Sequence, residues 1–571
     1  MTRWLPPWLQ HYQRQWLVGD ISAGLLVALL LLPQGLAYAL VAGLPPQLGL
    51  YASLLPLPLY ALLGRSHAQS VGPMAVTSLL VAASLGKLGL AAASTDYLLA
   101  AIWLALLSGV LLLLFGLLRL GFLADVLSEP VLAGFTAASA LLIVLSQLGP
   151  LAGFRAPGAS LPAILSSLWA HAGHYSWPAL LIGIPGVLLL WWGRSRLSRL
   201  LHRLGLRGLP QALLVRGLPL LALLGSMLLV GLPGWQGQLP QVGRIPAGLP
   251  ALAWPALPSC GLLPLVMPAF FIALVNYVQS LSVAQLLAIP RRETVDPDRE
   301  LLALGVCNIG AGLCGGFPVT GGLTRSVVNA EAGANSQLAS LITAALIAAL
   351  LAWGSGMLSA LPLTMLAATI VAAVAPQVRL QPLLHAWRAE RSDAIAFAVT
   401  FLLVLWLGVD SGIVAGVVIS LAAWLMKSSR PHMAELGLLP GGSHFRNVQR
   451  YQQCQTLPGV LILRIDESLY FGNARHVRDA LLARLAAAGQ VHTLLLVMSA
   501  VNRVDITGLA MLERLDDTLA ERGVRVQLAE VKGPVWDVFG KAGLASRFSG
   551  RVYLSTFAAW QALLPPPEFH I

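Results

Sequence analysis

The segment 315-GGFPVTGGLTRSVVN sets one arginine, Arg325, between two apolar runs, 301-LLALGVCNIGAGLCGG and 338-LASLITAALIAALLAW, neither of which carries a charge. A guanidinium has five N–H donors and a charge it cannot shed, so in apolar surroundings it needs a carboxylate of the chain or an anion from outside. The apolar parts of the nearby runs contain no acid, and Glu331 stands six residues further along the same helix. The local pattern favours the anion. Pro318 and 321-GG interrupt the apolar pattern just before Leu323, so a helix starting there leaves its first N–H groups unpaired and its dipole positive towards whatever lies in front. A second start follows 70-SVGP, where Pro73 suits the first helical position because it has no N–H to lose. If the two segments run antiparallel, both starts and Arg325 face one point, which is the geometry of an anion site.

The elements that must position these groups are membrane spans. Hydrophobic residues make up 57% of the chain and charged ones 11%, against about a quarter charged in soluble domains. The net charge of +12 comes without an aromatic-interleaved basic stripe, which argues against nucleic acid; the basic residues cluster between apolar runs and read as topology signals. Cys260, Cys307, Cys314 and Cys454 show neither CxxC spacing nor neighbouring histidines, so packing is expected of them, with no metal and no cofactor. The first apolar run begins near Val18 and is too long and too well continued to be a cleavable signal.

Apolar spans are expected at 18–42, 47–63, 73–85, 97–118, 129–150, 176–192, 212–232, 263–287, 300–314, 323–333, 336–353, 361–375, 393–408 and 411–427, fourteen in all. Two, at 73–85 and 323–333, are too short to cross ~30 Å of hydrocarbon as straight helices. Each follows a Gly/Pro break, and each is third in its half of seven. Paired short segments of this kind point to an inverted-repeat transporter with its site at the midplane. The loop 194-RSRLSRLLHRLGLR carries five arginines and no acid, whereas the loops 151–177 and 232–261 carry one each, Arg155 and Arg244. The arginine-rich loop is therefore expected in the cytoplasm, and with it both termini.

After Lys427 the composition turns polar. We expect a cytoplasmic N-terminal segment at 1–17, the transport domain at 18–427, a linker at 428–458 and a soluble α/β domain at 459–565. The last is read from strand-like runs 460-VLILRI, 493-TLLLVM and 524-VRVQLAEV alternating with amphipathic helical patterns at 473–489 and 508–523.

The stretches 31-LLPQGLAYALVAGLPPQLGLYASLLP, 71-VGPMAVTSLL, 300-ELLALGVCNIGAGLCGGFPVTGGLTRSVVNAEAGA and 503-RVDITGLAMLERL resemble the SulP family of anion transporters, called solute carrier family 26 in animals, with a C-terminal STAS domain. The resemblance covers essentially the whole chain in order. It implies an α-helical polytopic membrane protein of fourteen helices, a seven-plus-seven inverted repeat with core and gate domains, and a small cytoplasmic α/β STAS domain. It also implies a homodimer. For the pocket, it implies that Gln34 and Tyr38 face the substrate, and their i, i+4 spacing does put them on one helix face. An ordinary core pair would show the same spacing. Met74, Ala75, Leu323 and Thr324 occupy the two half-helix starts, where backbone amides matter more than side chains, and Ser326 follows Arg325 in the same turn. Asp20 and Glu129, near helix N-termini, are expected to be dipole partners rather than ligands.

Two departures from the family pattern bear on function. Where many members carry an acid tied to proton or sodium coupling, 272-IALVNYVQSLSVAQ has Gln279, which can hydrogen-bond but cannot titrate. Cation coupling loses weight and anion exchange or facilitated uptake gains it, with Gln279 still a pocket residue. In the STAS loop, Ile506 stands where related soluble domains have a phosphorylatable serine, so Asp505 or Thr507 is expected to cap a helix instead, and a regulatory partner there is a lesser alternative. The resemblance implies elevator-like transport of a small inorganic oxyanion across a bacterial inner membrane, with sulfate first and bicarbonate or a C4-dicarboxylate as alternatives. A channel or a voltage-responsive motor would show charge movement without net flux. Nucleobase transport on the same fold is disfavoured by Arg325 and the STAS domain. No activated nucleophile suggests an enzyme.

Overall fold

The computed structural model of the chain describes residues 6–154, 158–171, 173–232, 238–243, 245–246 and 248–564. Arg155 and Arg244, weighed above for orientation, lie outside these residues, as do 1–5 of the N-terminal segment and Pro565. The chain forms two compact units, Met1–Ser420 and Leu421–Ile571.

Every expected apolar run is helical, all but the last lying within the first unit and the last running on past Ser420. The segments are α1 (Leu17–Val41), the broken pair α2 (Gln47–Leu54) and α3 (Pro56–Leu63), α4 (Ala75–Lys87), α5 (Thr95–Leu117), α6 (Glu129–Ser146) and α7 (Trp177–Trp192). After a short helix α8 (Ser198–Arg203) come α9 (Leu209–Val230), α10 (Leu263–Ala288), α11 (Pro297–Leu313), α12 (Leu323–Glu331), α13 (Leu338–Ala349), α14 (Leu363–Val374), α15 (Arg391–Leu407) and α16 (Val409–Ser429). Among the described residues nine helical stretches are long and apolar enough to cross a membrane. The two short segments are short in the structure as well. With 9 residues, α12 rises only ~13 Å, and α4 has 13 residues, so neither spans the hydrocarbon alone.

What joins these two helices is a ladder that only the fold can make. β1 (Val71–Gly72) precedes α4, β2 (Thr320–Gly321) precedes α12, and they pair antiparallel with Val71 opposite Gly321 and Gly72 opposite Thr320. Equivalent strands of two inverted halves must meet antiparallel, and all four residues are buried. α1 is drawn against α2 by a contact that excludes side chains: a Cβ on Gly49 would stand 1.8 Å from the carbonyl oxygen of Gly35. One apolar core runs through α4, α5, α6, α10 and α11, including Leu80, Leu104, Phe135, Ile272 and Leu304. Another, with Leu31, Leu50, Ile347 and Leu366, holds α1 and α2 against α13 and α14. Large apolar side chains also point outward, among them Leu188, Leu228 and Trp406. This is the surface a bilayer covers.

In the second unit a six-stranded sheet runs in the order β4-β3-β5-β6-β7-β8. Its strands are β3 (Met433–Leu438), β4 (Phe445–Asn447), β5 (Val460–Ile465), β6 (Thr493–Val497), β7 (Arg525–Ala529) and β8 (Val552–Tyr553). β5 to β8 are parallel, with crossover helices that include α17 (Ala474–Ala487) and α18 (Ile506–Glu521). The stretch expected to be a linker, 428–458, holds β3 and β4, because β3 buries Met433, Ala434 and Leu436 while pairing antiparallel with β5. Asp505 caps α18 through the Gly508 N–H at 2.8 Å. On the same domain Asp516 is gripped by Arg551 Nη1 and Arg547 Nε, both at 2.8 Å.

Candidate anion-binding site

The site is built from the β1–β2 ladder outward. An asparagine on α11 holds the strand entering it: Asn308 donates to the Val319 carbonyl at 3.0 Å and accepts from the Val319 N–H at 2.9 Å, as a neighbouring strand would. Asn276 on α10 accepts from Thr77 Oγ1 at 2.6 Å in the first turn of α4, and its carbonyl accepts from Thr320 Oγ1 at 2.6 Å. One buried asparagine therefore ties a half-helix start to the opposite strand. The ladder continues past its last pair, because the Gly322 N–H reaches the Ser70 carbonyl at 3.0 Å and the Ser70 N–H reaches Ser326 Oγ at 2.9 Å.

Arg325 lies inside this frame, 2% exposed, in the first turn of α12. Nη1 donates to the Pro73 carbonyl at 2.8 Å. Nε and Nη2 are buried and have no partner. A buried guanidinium with unused donors is costly, and a carboxylate would be the usual remedy within a protein. None of the described carboxylates pairs with it. Glu331 is taken by Arg216 Nη2 at 2.7 Å. The guanidinium lies against Gly322, where a Cβ would come within 2.8 Å of Nη2, so a side chain at 322 would push it aside.

Pro73 is not at the first helical position. The helix begins at Ala75, with Met74 extended at φ −133° as its cap, and what Pro73 contributes is its carbonyl. Ala75 is buried and Met74 half-buried, whereas the side chains of Leu323 and Thr324 are exposed. Neither cap residue, Met74 or Gly322, supplies a side-chain acceptor, so both helix starts retain N–H groups and positive dipole ends. Tyr38 is 6% exposed and lies in the neighbourhood of Arg325. Gln34 is half-buried one turn earlier on α1. Gln279 is half-buried on α10 with an unpaired Oε1, next to Ser280, whose hydroxyl would lie 2.7 Å from a Cβ on Gly321. The structure thus gathers Arg325, Ser326, Tyr38 and the two helix starts. No hydrogen bond among the described residues links Gln34 or Gln279 to Arg325.

Sequence reasoning missed the supporting polar shell. Asn276, Asn308 and Asn329 are buried, and their signal was legible, since a polar side chain inside an apolar run is expensive unless used. Glu300 was not legible. It ends the polar run 296-DPDRE, yet it is 1% exposed, accepting from Tyr60 OH at 3.0 Å, Ser280 Oγ at 2.9 Å and Gln69 Nε2 at 3.0 Å. Asp20 is more than a partner of its own helix dipole. It is buried and accepts from the N–H groups of Asn335 and Ser336 at 2.8 and 3.1 Å, fixing the turn between α12 and α13.

Nearly the whole chain is similar to known proteins. The model of the sulfate permease family matches residues 17–400, and that of the STAS domain matches 451–559. A probable sulfate transporter of Mycobacterium tuberculosis is 35% identical over 98% of both chains. The chloroplastic sulfate transporter 4.1 of Arabidopsis thaliana is 32% identical over 94% of this chain and 78% of its own. A solved structure of SLC26A9 superposes with a TM-score of 0.87 at 25% identity, covering 97% of this chain and 92% of that one. The two family models match in the order membrane unit then STAS domain, relatives of 30% identity and more cover nearly the whole chain, and the chain belongs to the sulfate permease family.

Proposed function

We propose that this protein is a secondary transporter of a small inorganic oxyanion, sulfate first, held between the starts of α4 and α12 against Arg325. The observation that carries the reading is the buried guanidinium with Nε and Nη2 unpaired, at the meeting point of two positive helix ends. A tetrahedral oxyanion offers oxygens to both the guanidinium fork and backbone N–H groups. In this reading Tyr38, Gln34 and Gln279 complete the wall, Met74, Ala75, Leu323 and Thr324 contribute main-chain donors, and the Ser326 hydroxyl, which accepts from Ser70, braces the ladder. The relatives named as sulfate transporters support sulfate over bicarbonate or a C4-dicarboxylate.

Transport by an elevator-like movement of a core against a gate, in a homodimer of a bacterial inner membrane with both termini cytoplasmic, belongs to the same proposal. The five arginines of 194–207 support the orientation. Gln279 supports exchange or facilitated uptake rather than cation coupling through that residue. We assign the chain no enzymatic activity, in keeping with a family of transporters. The STAS domain serves assembly or binds a cytoplasmic regulatory partner. The test is uptake of labelled sulfate, bicarbonate and succinate into proteoliposomes, with and without a pH gradient. Saturable sulfate uptake that the other two fail to compete supports the reading. Uptake of bicarbonate or succinate alone replaces sulfate as substrate, and absence of flux for all three overturns it.

A further inference from the structure

α7 does not end where its apolar sequence ends. Past Trp192 the helix widens into a π-helical turn at Gly193–Leu197 and continues as α8. Residues 194–207 hold Arg194, Arg196, Arg199, Arg203 and Arg207, all exposed, and no acid. Arg194 and Arg199 make hydrogen bonds only to carbonyls, of Ala372 at 3.1 Å and Ser195 at 3.2 Å. Among the described residues none of the five pairs with a carboxylate.

Two features exceed what membrane orientation requires, since orientation needs charge but no shape. The first is the π turn, a rare distortion that accumulates at functional sites and here resets the direction in which α8 presents its side chains. The second is a recess of about 290 Å³ lined by Ser198, Arg199, His202 and Arg203 of α8 and by Gln211 of α9. Gln211 Nε2 donates to the Ser198 carbonyl at 2.8 Å and to its hydroxyl at 3.0 Å, which ties α9 to α8. Immediately before the turn, Leu188, Leu189, Trp191 and Trp192 project from α7 as an exposed apolar face. Tryptophans followed by arginines mark the boundary between acyl chains and headgroups.

We propose that this recess binds the phosphate headgroup of an anionic phospholipid, with Arg199 and Arg203 on the phosphate and the acyl chains along the α7 face. Charge complementarity and the exposed apolar residues that precede the recess in the same helical run select this occupant. Free phosphate or sulfate shares the anionic chemistry but has nothing to lay along Leu188 and Trp191.

The full-length protein, delipidated in detergent, is titrated with dioleoyl phosphatidylglycerol, dioleoyl phosphatidylcholine, sodium phosphate or sodium sulfate, and bound lipid is counted by native mass spectrometry. The comparison is the double variant Arg199→Gln/Arg203→Gln, which retains Arg194, Arg196 and Arg207 for orientation. A basic residue near an anionic surface contributes roughly five-fold in affinity, so the variant is expected to bind phosphatidylglycerol about thirty-fold more weakly. Phosphatidylcholine binding and sulfate binding at Arg325 should not change. Equal phosphatidylglycerol affinity in both proteins overturns the proposal. So does phosphate that competes as well as the lipid, or an equal loss of phosphatidylcholine. Because lipid is counted directly, these outcomes do not depend on whether sulfate is the substrate.

Discussion

Arg325 illustrates how one residue can be stable only in company. Its Nη1 is held by the Pro73 carbonyl, so the side chain is aimed before any ligand arrives, while Nε and Nη2 remain for the ligand. Replacing it with alanine removes the one full charge of the site but leaves both helix starts. Hydrogen bonds to charged groups are worth about 1.5–3 kcal/mol, so Arg325→Ala should weaken sulfate binding by at least roughly ten-fold without preventing folding. Calorimetric titration of the purified variant checks this, and near-normal affinity counts against the site. Arg325→Lys should recover only part of the loss, because an ammonium cannot reproduce the guanidinium fork. A second residue-scale prediction concerns Gln279. If it faces the anion, Gln279→Glu repels it when ionised and tolerates it when protonated, so transport by the variant should favour acidic pH more steeply than the parent. Flux measured between about pH 5 and 8 decides, and parallel profiles place Gln279 outside the pocket.

At the scale of elements, the site depends on how α12 begins. Gly322 is the position where backbone and guanidinium touch, and a Cβ there would come within 3.0 Å of Nε as well as 2.8 Å of Nη2. Gly322→Ala should therefore weaken anion binding by less than Arg325→Ala while leaving the charge in place. An unchanged affinity would mean that the guanidinium relocates freely. The C-terminal domain has its own electrostatic joint. Burial pushes the Asp516 carboxyl up, but its hydrogen bonds to Arg551 and Arg547 outweigh this and hold it below the ordinary carboxylate range. A carboxyl depressed in the folded state stabilises above the unfolded value of ~4, and that contribution is lost as pH falls through the folded one. Scanning calorimetry of the full chain should show the transition of this unit falling below about pH 4. Asp516→Asn should start lower and respond less to acid; equal slopes would remove the joint from the account.

At the scale of the molecule, each compact unit has a core of its own. The candidate anion site, the ladder and the arginines of 194–207 all precede residue 421. A chain ending near Ser429 should therefore insert and still bind whatever anion the full protein binds, even if flux falls. Membrane fractionation with a binding assay tests this, and an inserted but non-binding truncation would place the site elsewhere.

Much of this architecture was legible without coordinates, and the reason is the solvent. A bilayer imposes apolar length on every crossing, so each of the fourteen expected runs reappears as helix among the described residues, one of them broken in two, and the two that are too short stand out by the same rule. Arg325 was legible as a charge without a partner. Three things were decided by tertiary structure alone. The pairing of Val71 with Gly321 joins residues 250 positions apart, and no local pattern encodes a two-residue strand. The Pro73 carbonyl became an acceptor because the ladder carries the chain past it in extended form, where sequence rules expected a helical first turn. Glu300 sits in a charged run that reads as surface, and it is buried only because Tyr60, Gln69 and Ser280 converge on it from other elements. Periodicity and charge act along the chain and can be read there, whereas a hydrogen bond between distant segments exists only once the fold has brought its donor and acceptor together.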